Sequence, residues 1–191
     1  MQEAQPMTPA GRRIVAAAEE LFYNRGITAV GVDLIAEHSG LTKRTLYNRF
    51  GSKDHLVSVY LAERGHRWQS LVRAAVDACD GPVEAVVAPF DALRTWSETN
   101  TRGCAFINAL AELPDPSHPA YRVAADQKLW LRDLFEELAT AAGCSGPATL
   151  ATQLLVLHEG ALATRPLALD TLSASTDAAR ALVRATAPPL R

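Results

Sequence analysis

Hydrophobic residues recur every three or four positions along nearly the whole chain, without a convincing run of alternating β-branched residues. This spacing places them on one face of an α-helix, whereas a half-buried strand would alternate. The pattern therefore predicts an all-α protein of about nine helices. Proline, glycine and capping residues place these helices at about 9–25, 32–39, 43–50, 52–77, 82 to the TNTRG segment, 105–112, 119–142, 147–164 and 176–186.

Two short helices separated by a tight turn lie near the N terminus. Gly40 can take the left-handed conformation that ends the helix at 32–39, and Thr42 caps the helix that ends at Phe50. Such a pair is typical of a helix-turn-helix unit, whose second helix enters the DNA major groove. The pattern predicts a helix-turn-helix domain at 1–52 and a helical regulatory and dimerisation domain at 53–191.

Positive charge is concentrated in the N-terminal part of a chain whose formal net charge is -2. Residues 1–67 carry nine Lys or Arg and seven Asp or Glu, whereas the remainder carries ten and fourteen. In the third helix, Leu46 and Phe50 point inward, so the opposite face presents donors suited to bases and phosphates. A basic run is more often simply solvated, but the caps, the turn and the inward residues together favour DNA contact. The candidate DNA-binding residues are Thr8, Arg12, Thr42, Lys43, Arg44, Thr45, Tyr47, Asn48, Arg49 and Lys53.

Residues 8–61 resemble the DNA-binding domain of TetR-type transcriptional repressors, through "IAEHSGLTK" at 35–43 and "TLYNRFGSKDHL" at 45–56. The resemblance implies a homodimer with two recognition helices in successive major grooves, released from its operator when a small molecule binds the C-terminal domain. By motif position, Lys43, Arg44 and Tyr47 would lie near base edges. The residues that would mainly hold phosphates are Thr42, Thr45, Asn48, Arg49 and Lys53.

Two positions depart from the pattern of that family. Gly31 stands where threonine often caps the second helix, so a phosphate contact there would need a backbone amide. Asp33 stands where a basic residue often reaches DNA. We expect Asp33 either to repel some operators or to cap its helix.

Residues 62–191 are similar in helix layout to the regulatory domains of that family, and "RGCAFINALAELPDPSHP" and "LLVLHEGAL" resemble a recurring subgroup of them. Aromatic residues there could line an effector cavity, although such spacing more often marks core. Polar residues inside apolar stretches are better indicators, because burying one without a partner costs about 1–3 kcal/mol. The candidate effector-binding residues are Trp68, Phe90, Trp96, Cys104, Phe106, Asn108, Gln127, Trp130 and His158.

Two of these positions have alternative interpretations. Cys104 could be a thiol sensor, but a small buried hydrophobe is favoured, because only Arg102 lies near it in sequence to stabilise a thiolate. His158 and Glu159 could begin a metal site or an acid–base pair. Adjacent helical residues diverge by about 100°, which favours hydrogen bonding in a pocket or a dimer interface instead.

The last two predicted helices carry stripes of leucine and small residues. Such stripes can cover the core of their own subunit, but in TetR-type proteins the last two helices of each subunit form a four-helix interface, and the resemblance favours that use. The candidate interface residues are Leu150, Leu154, Leu157, Ala161, Leu162, Ala178 and Leu182.

Several kinds of site lack sequence support. Three scattered cysteines and five histidines form no disulfide framework or zinc motif, and no Walker, GxGxxG or GxSxG segment occurs, so no cofactor or metal is expected. The polar opening segment and short apolar runs predict a soluble cytoplasmic protein without a signal peptide or membrane contact.

The function predicted from the sequence is a homodimeric, ligand-responsive repressor without enzymatic activity. Its partners would be a double-stranded DNA operator, an unknown small-molecule effector and a second copy of the chain. Two alternatives remain open: a DNA-binding dimer without an effector, and a small all-α enzyme whose N-terminal helices pack instead of binding DNA.

Overall fold

The computed structural model describes residues 7–188, which form nine α-helices and one short 3₁₀ helix, without β-strands in that range. The all-α prediction is therefore confirmed. The α-helices are α1 (Pro9–Arg25), α2 (Val32–Ser39), α3 (Lys43–Phe50), α4 (Lys53–Asp77), α5 (Pro82–Thr99), α6 (Ala105–Glu112), α7 (Pro119–Ala141), α8 (Pro147–Ala163) and α9 (Thr171–Thr186).

The last helix differs most from its predicted bounds. It begins at Thr171 and not near residue 176, and the 3₁₀ helix Arg165–Leu167 precedes it. Asp170 caps α9, since its carboxylate accepts a hydrogen bond from the Ser173 amide at 3.2 Å. Its first turn is rich in small polar residues that also suit turns, which explains why the periodicity hid this start.

The described chain divides into two compact units. The first holds the described residues through Arg64 together with Ala105–Ala125, and the second holds Gly65–Cys104 and the described residues from Asp126 onward. The chain thus passes between units within α4, immediately before α6 and within α7. The domain limits 1–52 and 53–191 stay a prediction about function.

The first unit is built on the buried faces of α1, α2, α3 and α4. Ile14, Ile35 and Leu46 are completely buried, as the spacing of hydrophobic residues predicted. The Phe22 and Tyr60 rings join α1 to α4 with centroids 5.9 Å apart. These contacts fix the orientation of the short helices, which would be only marginally stable alone.

Helix α6 is anchored in the first unit by its last residue. The Glu112 carboxylate accepts hydrogen bonds from the Thr28 amide at 2.9 Å and from the Thr28 hydroxyl at 3.1 Å. Gly26 lies beside that carboxylate with φ of 92°, and an added Cβ would stand 3.1 Å from a Glu112 oxygen. The backbone conformation therefore favours glycine at the end of α1, and a side chain there would also have to displace the Glu112 carboxylate.

The second unit has two clusters of buried side chains. One joins α5, α7, α8 and α9 around Phe90, Phe135 and Leu154. The other joins α4, α5 and α8 around Trp68, Leu93 and Leu162, with Trp96, Cys104 and Trp130 packed against it. Most of the aromatic side chains proposed to bind an effector thus lie in or beside this core.

Candidate nucleic-acid interface and buried polar cluster

The turn between α2 and α3 is fixed by the two residues that the sequence indicated. Gly40 ends α2 in the left-handed conformation with φ of 64°, and its amide donates to the carbonyls of Ala36 and Glu37. Thr42 caps α3, since its hydroxyl oxygen accepts from the Thr45 amide at 3.1 Å. Phe50 closes the other end of α3 with its side chain buried. Both ends of α3 are therefore anchored, and its orientation is set by packing.

The outward face of α3 carries side chains with unused hydrogen-bonding groups. Arg44, Asn48 and Arg49 are exposed and make no hydrogen bond or ion pair within residues 7–188. Tyr47 is 45% exposed, which is unusual for a ring of its size. These donors are free to reach base edges or phosphates without breaking an existing contact.

Thr42, which caps α3, and Thr45 within α3 are hydrogen-bonded to each other. The hydroxyl groups of Thr42 and Thr45 lie 2.9 Å apart and share a hydrogen bond, while Thr45 is half-buried. Capping α3 is therefore the observed role of Thr42. A DNA phosphate would have to share these hydroxyl groups.

Lys43 binds a carboxylate of its own chain. Its ammonium group forms an ion pair with Asp33 in α2. The hydrogen bond and the charge of Asp33 raise the pKa of Lys43 above its ordinary value. Gly31 caps α2 without a side-chain hydrogen bond, so Asp33 is not the cap of its helix. Asp33 therefore places a negative charge next to the first basic side chain of α3.

The beginning of α1 is occupied by local contacts. Thr8 caps the helix by accepting from the Gly11 amide at 3.2 Å, and Arg12 donates to the Met7 carbonyl at 2.6 Å. Arg13 donates to the Ser39 carbonyl at 2.7 Å and so ties α1 to α2. Arg12 is exposed and remains a phosphate-binding candidate, whereas Arg13 supports the fold.

At the beginning of α4, as at that of α1, one side chain caps the helix and a basic side chain makes a local contact. The Ser52 hydroxyl accepts from the His55 amide at 3.1 Å. The Lys53 ammonium lies 5.9 Å from the centre of the Phe22 ring, and partial burial lowers the pKa of Lys53 below its ordinary value. Lys53 would have to leave this ring to reach a phosphate.

The effector-binding candidates divide between the two units. Phe106 and Asn108 belong to α6 in the first unit, and the other seven belong to the second. Phe106 is buried, but the expectation that Asn108 is buried is wrong, because its side chain is exposed. The inward face of α6 is formed by Ala105, Phe106 and Ala109, which turns Asn108 away.

His158 lies at the centre of an aromatic cluster in the second unit. Its ring centroid is 5.5 Å from that of Trp68, 5.6 Å from that of Phe90 and 6.4 Å from that of Phe135. Trp96 contacts Trp68 edge to face, with centroids 5.6 Å apart. Burial lowers the pKa of His158, so this imidazole is neutral at pH 7.

A chain of polar side chains runs through this apolar surrounding. The Lys128 ammonium binds the Glu159 carboxylate at 2.8 Å, and His158 Nδ1 lies 3.1 Å from the same oxygen. Cys104 lies close enough to Lys128 to raise the pKa of that ammonium group. We call Cys104, Lys128, His158 and Glu159 the buried polar cluster. His158 and Glu159 thus hydrogen-bond each other although their positions on α8 diverge by about 100°.

The charges of the buried polar cluster stabilise one another. Burial alone would lower the pKa of Lys128, but Cys104 and Glu159 raise it above its ordinary value. Burial alone would raise the pKa of Glu159, but Lys128 and His158 hold it far below its ordinary range. Both groups are therefore ionised at neutral pH in a nearly dry interior.

Some hydrogen-bonding capacity in and near this cluster is unused. Within residues 7–188, His158 Nε2, Glu159 Oε2, Gln127 Nε2 and Ser97 Oγ are buried without a hydrogen-bond partner. Gln127 otherwise accepts from Gln69 Nε2 at 2.8 Å. Such unsatisfied groups are uncommon in native cores and call for a partner such as a water, an ion or a ligand. Sequence reasoning found His158 and Gln127 but missed Lys128, a charged residue within the apolar repeat of α7.

The dimer-interface candidates also divide into two groups. Leu150, Leu154, Ala161 and Leu162 are buried in the core of their own subunit, so they cannot contact a second subunit without opening that core. Leu157, Ala178 and Leu182 instead line an open apolar groove on α8 and α9, together with Thr149, Thr152, Gln153, Val156 and Ala181. Val156 is 66% exposed there. The expected interface therefore consists of the groove residues and no longer includes the four buried residues.

The described residues also lack a metal-binding group and a membrane-spanning helix. Residues 7–188 contain no group of three or more His, Cys, Asp or Glu side chains placed to hold a metal ion. None of the helices in that range is long and apolar enough to span a bilayer.

Comparisons with known proteins agree with the geometry of α1 to α4. Residues 14–59 match the family model for bacterial regulatory proteins of the tetR family. The chain is 26% identical over 153 residues to the HTH-type transcriptional regulator YjdC of Escherichia coli K12, covering 78% of this chain and 79% of that protein.

Two crystal structures resemble the fold closely. The TetR-family regulator SCO4454 from Streptomyces coelicolor has a TM-score of 0.87 and 29% identity, covering 94% of this chain and 96% of its own. The TetR-type regulator sav143 from Streptomyces avermitilis has a TM-score of 0.74 and 32% identity, covering 90% and 98%. The proteins that this chain resembles are thus regulators of transcription.

Proposed function

The chain belongs to the TetR family of bacterial transcriptional regulators, and we propose that it is a homodimeric repressor whose operator binding is relieved by a small-molecule effector. The outward face of α3 is the observation that carries this proposal. Its free donors stand on a helix fixed at both ends by Thr42 and Phe50. It would act in the cytoplasm, where bacterial operators are found.

Contacts to bases are assigned to two exposed donors on the outward face of α3. Arg44 and Asn48 have the geometry for bidentate contact with guanine and adenine, respectively. Lys43 shares this face but must exchange Asp33 for DNA. Arg12, Arg49 and Lys53 would hold phosphates, which adds affinity without sequence preference.

Dimerisation is assigned to the open groove of α8 and α9. A second copy of the chain is the expected occupant, because an exposed Val156 beside Leu157 and Leu182 is costly in water. Two such faces related by a two-fold axis would pack as four helices. Dimerisation is needed for function because two recognition helices must reach successive major grooves.

Effector binding is assigned to the second unit, around His158. The unused His158 Nε2 and Glu159 Oε2 support this choice, because a bound molecule that donated to them would remove a desolvation penalty. For a useful response, the effector would need to bind the state that cannot bind DNA more tightly than the DNA-binding state, by about 1–3 kcal/mol.

Selection of bound fragments from random DNA, followed by gel-shift titration, tests this function. Arg44→Ala should weaken operator binding by about 1–3 kcal/mol and random-DNA binding much less. Arg122→Ala is a matched control, because Arg122 is also exposed but lies outside α3. Equal losses on operator and random DNA would exclude base readout by Arg44, and failure to select any sequence would contradict the repressor function.

A further inference from the structure

One carboxylate stands beside the donors of α3. Asp33 lies in the first turn of α2, and it forms an ion pair with the ammonium group of Lys43, the first residue of α3. The residues at the start of a recognition helix are the ones that reach base edges in the major groove. The ion pair therefore places the Asp33 carboxylate where bases are read, although Asp33 belongs to the preceding helix.

Neither folding nor helix capping accounts for this carboxylate. The side chains of Lys43 and Asp33 are 53% and 74% exposed, and ion pairs so exposed to water stabilise a folded protein little. The cap position of α2 is taken by Gly31, and a Cβ added there would meet no atom within 4 Å. The surface beside Asp33 is therefore open, and its carboxylate is accessible to a partner from outside the chain.

A carboxylate at this place opposes DNA binding unless a hydrogen-bond donor faces it. DNA phosphates repel it, and it also loses its partner when Lys43 turns to DNA. On the base edges of the major groove, the groups that can donate to a carboxylate are the amino groups of cytosine and adenine. Asp33 therefore penalises every sequence that places no amino group before it.

The closeness of the two charged groups favours cytosine paired with guanine. Lys43 and Asp33 are in contact in the free protein, so their partners on DNA must be neighbours. A G·C pair presents two acceptors, guanine N7 and O6, directly beside the cytosine N4 donor. An A·T pair offers the ammonium group a single acceptor beside the adenine amino group. The G·C pair therefore matches both charged groups at once.

We propose that Asp33 is a specificity-determining residue that accepts a hydrogen bond from cytosine N4, while Lys43 donates to the guanine of the same base pair. This inference rests on the proposed operator binding, and it adds a base contact from α2 to those assigned to α3. At this base pair the ammonium and the carboxylate exchange each other for base atoms of suitable polarity. At other sequences Asp33 is left unpaired, so it selects against random DNA.

The test compares the base preferences of the full-length wild type with those of Asp33→Ala. The operator that the wild type selects from random DNA should contain one G·C pair in each half-site whose replacement by A·T weakens binding by about tenfold. Asp33→Ala should bind both forms within about twofold of each other and keep its other base preferences. Lys43→Met should lose preference at the same base pair and at no other.

Two controls separate base reading from general electrostatics. Glu37→Ala removes an equal charge from an exposed position one turn further along α2, and it should keep the preference for the G·C pair. Replacing the cytosine by pyrimidin-2-one removes its N4 amino group. This change should weaken binding of the wild type about tenfold more than binding of Asp33→Ala. Circular dichroism melts should show that all variants remain folded.

The outcomes distinguish three cases. If Asp33→Ala raised affinity for every operator variant by the same factor, Asp33 would only repel phosphates, and the proposal would be overturned. Equal weakening of both proteins by pyrimidin-2-one would exclude a contact with N4. An operator selected with the same base preferences by wild type and Asp33→Ala would contradict the role of Asp33 alone. Failure to select any sequence would contradict the proposed function as well, so the two failures are distinguishable.

Discussion

Removing one charge of the buried polar cluster should destabilise the protein strongly. Lys128 and Glu159 lie 2.8 Å apart with most of their surface covered. At an effective dielectric constant of ~20, that separation corresponds to an attraction of about 6 kcal/mol, which desolvation of the two ions offsets in large part. Lys128→Met leaves the carboxylate uncompensated, and we expect a loss of about 3–5 kcal/mol.

The assay is thermal unfolding followed by circular dichroism at pH 7. For a chain of this size the loss corresponds to a fall in Tm of about 10 °C. Lys128→Met/Glu159→Leu should recover most of the stability, because an apolar pair removes the unpaired charge instead of exposing it. Lys43→Met is the matched control, since Lys43 also binds a carboxylate but is half exposed, and its Tm should barely change.

The result that would refute this reasoning is specific. If Lys128→Met melted within about 2 °C of the wild type, the Glu159 carboxylate would have to be solvated or protonated, and the assignment of a dry ion pair would be wrong. A double variant less stable than the single one would show that the polar side chains are needed for packing.

Three further predictions concern pH, DNA affinity and assembly. Burial lowers the pKa of His158 in the folded state, so the unfolded state binds the proton more readily. The free energy of unfolding should therefore fall as the pH drops below about 6.5, by at most ~1.4 kcal/mol per pH unit. Denaturant titrations of His158→Gln at the same pH values should lack this loss. Asp33→Asn should raise the affinity for random DNA, because it frees Lys43 to bind a phosphate. The slope of log affinity against log salt concentration should then steepen by about one unit, and an unchanged slope would show that Lys43 does not contact DNA. Val156→Glu should give monomers in sedimentation experiments. Leu129→Glu is the control, because Leu129 is 56% exposed on α7 outside the groove, and this variant should remain a dimer. A dimeric Val156→Glu variant would show that the interface lies elsewhere.

The sequence predicted the parts of the structure that depend on local chemistry. Caps and stops such as Thr42 and Gly40 act within one helical turn, so the bounds of α2 and α3 and the inward side chains of α3 followed from spacing alone. The pairing of Lys43 with Asp33 depends on how α2 and α3 cross, which spacing does not give. The contact of Cys104 with Lys128 needs the packing of the second unit.

Periodicity also identified apolar faces without showing what covers them. Helix α8 is hydrophobic on more than one side, so Leu150 and Leu154 were as suitable for an interface as Val156. Only the packing of α5, α7 and α9 shows that the two leucines are already covered. The exposed fraction of each side chain, and not its hydrophobicity, decides which face is available to a second subunit.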